Sequence, residues 1–351
     1  MPEPETIPDN LQRYSRQIRF PPLGLKGQQR LSRSAMLLVG CGALGSVIAD
    51  LLVRAGVGRI RIVDRDFPEW HNLQRQVLYS EADVEAGLPK AVVAASRLAE
   101  VNSSVAIEPV VADLNHGNIG ALAANMNLVV DGTDNFETRF LINDYALESG
   151  TPWIYGGCLG AEGQTMTIIP GETPCLHCLM SDGPPPPGTT PGCDTAGIVG
   201  PVVNLVAALQ SMEAIKLLSG NAAAVNRDLT VVDLWSGRLR HMNLDRLSEQ
   251  NECPACQAGR RAWLSGEQAS RTAVLCGRDA VQIRGQRDGA LDLEKLARRL
   301  RSAGEVRVNP YLLKLELVDC QMTVFADGRA IIQGTDDVAR ARSLYARWVG
   351  N

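Results

Sequence analysis

The chain has 351 residues, room for about two domains with a sizeable core, and its 45% hydrophobic and 21% charged content excludes wholesale disorder. Lysine and arginine number 35 against 39 aspartates and glutamates, a net charge of −4, so no global basic field is present to hold nucleic acid. No apolar run approaches the 18 or so residues of a membrane span, Met1 to Asn10 lacks the apolar stretch of a signal peptide, and nine cysteines then point to a reducing cytoplasm.

In chain order, residues 11–33 read as a polar helical lead-in, with Leu11, Ile18, Leu25 and Leu31 spaced by arginines and glutamines. Residues 34–40 form a continuous apolar run closed by glycine, as expected of a parallel strand buried on both faces. A helix over 44–55, a strand over 59–64, a helix to Val101 after Pro89, and strands over 105–111 and 127–131 follow. A helix over 136–149 and a strand over 152–155 complete an alternation that implies right-handed crossovers and a doubly wound, mostly parallel α/β sheet. From Gln164 the pattern is less regular, and the proline run between Asp182 and Gly192 is expected to be a loop. Helix returns over 202–218; Ile198 to Leu209 is the longest apolar stretch, broken by Gly200, Pro201 and Asn204. The pattern resets near residue 270, and helices over 291–301 and 336–349 flank strands over 311–318 and 322–325.

Five sets of residues carry chemistry. Gly40-Cys-Gly42-Ala43-Leu-Gly45 directly follows a strand and opens a helix, the context in which glycines let backbone approach a phosphate-bearing ligand at a helix N-terminus. Asp64, 19 positions after Gly45 at the end of the next strand, can accept hydrogen bonds from a ribose. Asn72-Leu-Gln-Arg75-Gln76 and Lys90 form a polar, cationic set suited to a triphosphate; a solvated surface loop is the competing reading. Asp131-Gly-Thr-Asp134-Asn135 ends an apolar strand where a carboxylate would hold Mg²⁺, although an ordinary turn uses the same residue types. Cys175-Leu-His-Cys178 and Cys253-Pro-Ala-Cys256 supply the four thiolates of a closed zinc site, against redox dithiols or unrelated buried thiols, with His177 a bystander. Cys193, beside the proline run, is either a loop nucleophile or an unreactive loop residue; Cys41, Cys158, Cys276 and Cys320 read as core.

Taken together, from Arg13-Tyr-Ser-Arg16-Gln17 through GCGALG, NLQRQ, Lys90, DGTDN and both CxxC pairs to about residue 257, the chain resembles the MoeB/ThiF family. These are adenylyltransferases of ubiquitin-like sulfur carriers, related to ubiquitin-activating enzymes. The resemblance implies a homodimer whose 34–257 region is a Rossmann-like, ATP-binding adenylyltransferase domain with structural zinc in its C-terminal part. Residues 1–33 would be the lead-in and 271–351 a small α+β extension. It implies that Gly40, Gly42, Ala43, Gly45 and Asp64 line the adenosine side of ATP. Asn72, Arg75 and Lys90 would hold phosphates, Asp134 beside Asn135 would hold Mg²⁺, and Arg16 would reach in from the partner subunit. Cys193 matches a loop cysteine that in some members links covalently to the carrier.

Ala43 stands where glycine is frequent in that family, His71 where serine is common, and Glu81 to Pro89 looks about two residues longer than usual. Residues 271–351 carry 14 basic and 10 acidic residues, a surplus of four positive charges that either helps dock an acidic carrier or is an ordinary solvated surface; the first 270 residues carry a net −8. Catalytic sulfur transfer by Cys276 is not expected, because the rest of a rhodanese loop is missing.

The expected activity is MgATP-dependent adenylation of the C-terminal glycine of a small carrier with a Gly-Gly terminus, releasing pyrophosphate. The molybdopterin type is favoured slightly over the thiazole (thiamin) type. An NAD-dependent oxidoreductase with a zinc-stabilised second domain, or a non-catalytic nucleotide-binding scaffold, are the alternatives.

Overall fold

The computed structural model describes residues 7–181, 183–184, 193–250, 252–268, 272–275, 280–283 and 291–350. It divides into two compact units, one of Met1–Pro185 with Ile198–Gln268 and one of Pro186–Gly197 with Ala269–Asn351.

The first unit opens with a 3-10 turn at Asp9–Tyr14, α1 (Ser15–Ile18) and α2 (Gly24–Leu31), not with one helix. Pro21 and Pro22 cannot continue α1, and Gly24, at φ +59°, turns the chain into α2. Next come β1 (Ala35–Val39), α3 (Ala43–Ala55) and β2 (Arg59–Asp64). The short α4 (Glu81–Ala86) is opened by a Ser80/Asp83 capping box and closed by left-handed Gly87. Beyond it lie α5 (Lys90–Val101), β3 (Ala106–Val111), α6 (Ile119–Leu122), β4 (Leu128–Asp131), α7 (Phe136–Ser149) and β5 (Trp153–Leu159).

The less regular region holds β6 (Glu162–Ile168), which folds back antiparallel on β5, and α8 (Leu176–Leu179). After α9 (Cys193–Ala196), grouped with the second unit, come α10 (Gly200–Leu218), β7 (Leu229–Asp233), β8 (Arg238–Met242) and α11 (Asp245–Gln250). Asp182 and residues 185–192 of the proline run lie outside the described residues.

The eight strands lie in the order β3-β2-β1-β4-β5-β6-β7-β8; the first five run parallel and β6, β7 and β8 form an antiparallel meander. β1 is buried on both faces: Met36 and Leu38 join the core with α3, α5 and α10, whereas Ala35, Leu37 and Val39 join that with α6, α7 and α8. Chain order reverses between β1 and β4, which places a crevice at their carboxyl ends.

By length and composition, the 19-residue α10 could cross a membrane, contrary to the sequence expectation. Pro201 does not break it, because a first-turn N–H has no helical acceptor to lose. The helix instead packs on β5, β6 and α3, with Val202, Val203, Val206, Ala207 and Gln210 buried.

The second unit is an α+β fold. β9 (Thr272–Leu275), β10 (Ala280–Ile283), β11 (Glu305–Val308), β12 (Leu312–Glu316), β13 (Gln321–Phe325) and β14 (Ala330–Gln333) form an antiparallel sheet in the order β11-β12-β13-β14-β10-β9. On it pack α12 (Leu293–Leu300) and α13 (Val338–Trp348), N-capped by the carboxylates of Asp292 and Asp337. Cys276 lies outside the described residues.

Candidate active site

Three glycines make the crevice. A Cβ on Gly45 would come within 1.9 Å of the Gly40 carbonyl oxygen, and one on Gly132 within 2.5 Å of the same atom. Gly40 itself is left-handed at φ +82°. The end of β1, the first turn of α3 and the end of β4 therefore meet backbone to backbone, which any side chain would prevent. Gly42 N-caps α3 with no side-chain hydrogen bond, and Ala43 is its first residue. The helix thus presents uncapped amides and the positive end of its dipole, a ready anion site.

Asp64 closes β2 beside this turn. One carboxylate oxygen accepts from the Cys41 N–H at 2.6 Å and the other from the Asp66 N–H at 2.7 Å. Burial pushes the Asp64 carboxyl up, and nearby Lys90 opposes that shift. The Lys90 side chain is nearly inaccessible, with Nζ 3.7 Å from Asp66. The Tyr79 hydroxyl donates to the Cys41 carbonyl at 2.7 Å, holding the glycine turn from behind. Burial and then Asp64 push the Cys41 thiol up to about 12, so it remains protonated and inert at neutral pH.

Asn72 is fully buried; its carbonyl oxygen accepts from the Glu69 N–H at 3.1 Å, while its Nδ2 has no partner among the described residues. Gln76 is buried too, and its Oε1 is likewise unpartnered. Buried polar atoms left open in this way fit a polar ligand, because orphaned groups are costly. Arg75 is half-buried and donates to the His71 carbonyl at 2.8 Å. The start of α10 lies against it: a Cβ on Gly200 would sit 3.2 Å from the Gln74 carbonyl.

The two aspartates of the DGTDN turn differ sharply. Asp131 is buried, accepts from the Thr133 N–H and hydroxyl at 2.8 and 2.7 Å, and pairs with Arg139 Nε at 3.1 Å. Asp134 is exposed and has no hydrogen bond or ion pair with a described residue. Asn135 accepts from the Thr138 N–H at 2.9 Å, so its side chain caps α7. Arg16 is exposed on α1, also with no such partner among the described residues, and Cys193 begins α9.

Cys175, Cys178, Cys253 and Cys256 bring all four sulfurs within 4.8 Å of one another. The separations of 3.8, 3.7 and 3.5 Å are too long for disulfides. They match the edges of a tetrahedron with metal–sulfur bonds of about 2.3 Å, the zinc–thiolate length. His177 stays outside the four, with Nε2 3.8 Å from Asp144 and its ring against Phe140. Among the remaining cysteines, Cys41 is buried, whereas Cys158 and Cys320 are half-buried. A separate cavity of about 370 Å³, lined among others by Thr167, Glu213, Lys216, Thr230 and His241, contains none of the residues above.

Gln76, Tyr79, Gly132 and Arg139 were not singled out as site residues by sequence. Gln76 lies inside the NLQRQ run and Gly132 inside DGTDN; the roles of Tyr79 and Arg139 depend on neighbours distant in sequence.

The model of the ThiF family matches residues 14–256. A Bacillus subtilis protein named sulfur carrier protein ThiS adenylyltransferase is 46% identical over 339 residues, 96% of this chain and 99% of its own. A Thermus thermophilus sulfur carrier protein adenylyltransferase is 38% identical over 71% of this chain and 91% of its own. Among solved structures, Escherichia coli MccB with ATP superposes with a TM-score of 0.61 at 22% identity, covering 72% of this chain and 75% of that one, a likeness of fold.

Proposed function

The chain belongs to the ThiF family and is an ATP-dependent adenylyltransferase of a sulfur-carrier protein; from this premise we propose that its substrate is the C-terminal carboxylate of a small ubiquitin-like carrier ending in Gly-Gly. The observation that carries the reading is the 46% identity to a ThiS adenylyltransferase along 96% of the chain, second unit included. That full-length match favours a thiazole carrier over the molybdopterin carrier preferred from sequence. It also counts against a dehydrogenase or an inert scaffold.

The attacking carboxylate is already anionic, so in-line displacement at the α-phosphate needs no general base. The site must position the reactants and neutralise charge. The α3 amides from Gly42 and Ala43 and the spare lone pairs of Asp64 would hold the adenosine side. Asn72 Nδ2, Arg75 and Lys90 would take the phosphates. Mg²⁺ held by Asp134 would supply further neutralisation, completed by Arg16 of the partner subunit. The apolar outer face of α10, with Met212 51% exposed, is a surface that a second copy would cover in a homodimer. Zinc would sit in the four-thiolate site as a structural ion, and reduced thiols there fit a cytoplasmic protein.

Carrier-dependent ATP–pyrophosphate exchange tests the reading. Arg75→Ala and Lys90→Ala should each slow it by on the order of 10²–10³, and near-normal rates in both would remove them from the phosphate site. Cys193→Ala should keep exchange yet lose any thiol-cleavable enzyme–carrier adduct, since a thioester between the Cys193 sulfur and the carrier forms only after adenylation, with AMP as the leaving group. An adduct that survives in this variant would assign the link elsewhere.

A further inference from the structure

Arg139 is a buried arginine in α7 that none of the roles above uses. Its Nε donates to Asp131 at 3.1 Å, and its Nη2 to the carbonyls of Thr133 and Gly156 at 2.8 and 2.9 Å. The guanidinium lies 5.3 Å from the Phe136 ring and 5.2 Å from the Tyr155 ring, so aromatic faces and a planar fork of donors set its orientation. These contacts occur where the sheet has no ladder of its own. β4 and β5 pair only at Val129 with Trp153 and Val130 with Ile154. Beyond that point side chains join the two strand ends: Arg139, Gln210, whose Nε2 donates to the Asp131 carbonyl at 2.8 Å, and the Asp131 carboxylate, which also accepts from the Gly156 backbone.

We propose that Arg139 is a positioning residue for adenylation, holding the Asp131–Asp134 turn so that the free Asp134 carboxylate faces the metal of MgATP. The proposal rests on the reading that Asp134 binds that metal. Within the turn, Asp131 is spent internally on Thr133 and Arg139, so Asp134 is the carboxylate left to face outward. Burial pushes the Asp131 carboxyl up and Arg139 brings it back, which favours the ionised pair. Asp134 is also within electrostatic range of both Arg139 and Arg65, so the turn is held by cations without their covering its outer oxygen atoms.

Affinity for a non-hydrolysable ATP analogue, measured calorimetrically with and without Mg²⁺, provides the test. Arg139→Lys keeps the charge but cannot serve three acceptors from one plane. It should lose at least about tenfold of the Mg²⁺-dependent gain, since misplacement by 1 Å costs up to about 10². Metal-free affinity should be unchanged. An undiminished gain in Arg139→Lys overturns the proposal. So does a loss of equal size when Arg139→Lys is placed in an Asp134→Asn background, because Arg139 would then act independently of Asp134. Should Asp134→Asn alone keep the full gain, the metal reading itself fails and the proposal with it, a pattern distinct from either result above. If Arg139→Lys does not fold, Arg139→Met with Asp131→Asn removes both charges together. That pair should fold yet still lose the gain, and a folded pair with full gain would overturn the proposal equally.

Discussion

Replacing Asp134 with asparagine should cut carrier-dependent exchange by on the order of 10²–10³ while leaving the melting temperature unchanged. The side chain is exposed and makes no hydrogen bond or ion pair with a described residue, only longer-range attraction to Arg65 and Arg139, so the fold depends little on its charge. A neutral amide of the same shape retains the turn but cannot anchor a hard cation as a carboxylate does. The other aspartate of the turn supplies the contrast. Asp131→Asn leaves the Arg139 guanidinium buried beside a neutral partner. Removing one member of a buried pair costs about 3–5 kcal/mol, so this variant should lose stability first and activity as a consequence. Exchange assays beside thermal melts of the two variants separate the roles. Near-normal exchange by Asp134→Asn at saturating Mg²⁺ would take Asp134 out of the mechanism.

The second large effect concerns the four cysteines. One zinc per chain is expected, and Cys253→Ser with Cys256→Ser should abolish it and sharply lower the melting temperature. Structural zinc bound only by folded chain contributes about 10–16 kcal/mol to folding, as much as the whole stability of a typical domain. The site joins two segments to α7. The Leu176 N–H donates to the Asn143 side chain at 2.8 Å, and the Trp263 N–H to Asp144 at 2.9 Å. With the metal gone nothing replaces the tie between the two segments, and limited proteolysis should cut around Cys175 and Cys253 first. Protein carefully purified without chelator that holds no zinc by elemental analysis would defeat the claim, as would full zinc content in the double variant.

What could be read from the residues in order was whatever is local. The parallel half of the sheet was legible because β1 and β4 are short apolar runs and β2 alternates arginine with isoleucine, each ending at glycine or aspartate, and GxGxxG needs only its own strand and helix to be understood. The meander was not legible. β8 is Arg-Leu-Arg-His-Met, exposed throughout, and carries no buried-face periodicity for a sequence to display. Two CxxC pairs announced four ligands, but only folding closed the 78-residue gap between Cys175 and Cys253 to 3.7 Å.

DGTDN by itself leaves Asp131 and Asp134 chemically equivalent. The structure separates them by burying one against Arg139, eight residues ahead, and leaving the other in solvent. Gly132 is likewise only a turn residue until β4 is laid beside β1, where its missing Cβ admits the Gly40 carbonyl. The chemical groups of the site were thus determined by sequence. Which of them are free to meet a ligand was decided by tertiary packing, because burial and pairing are set by neighbours that no local pattern names.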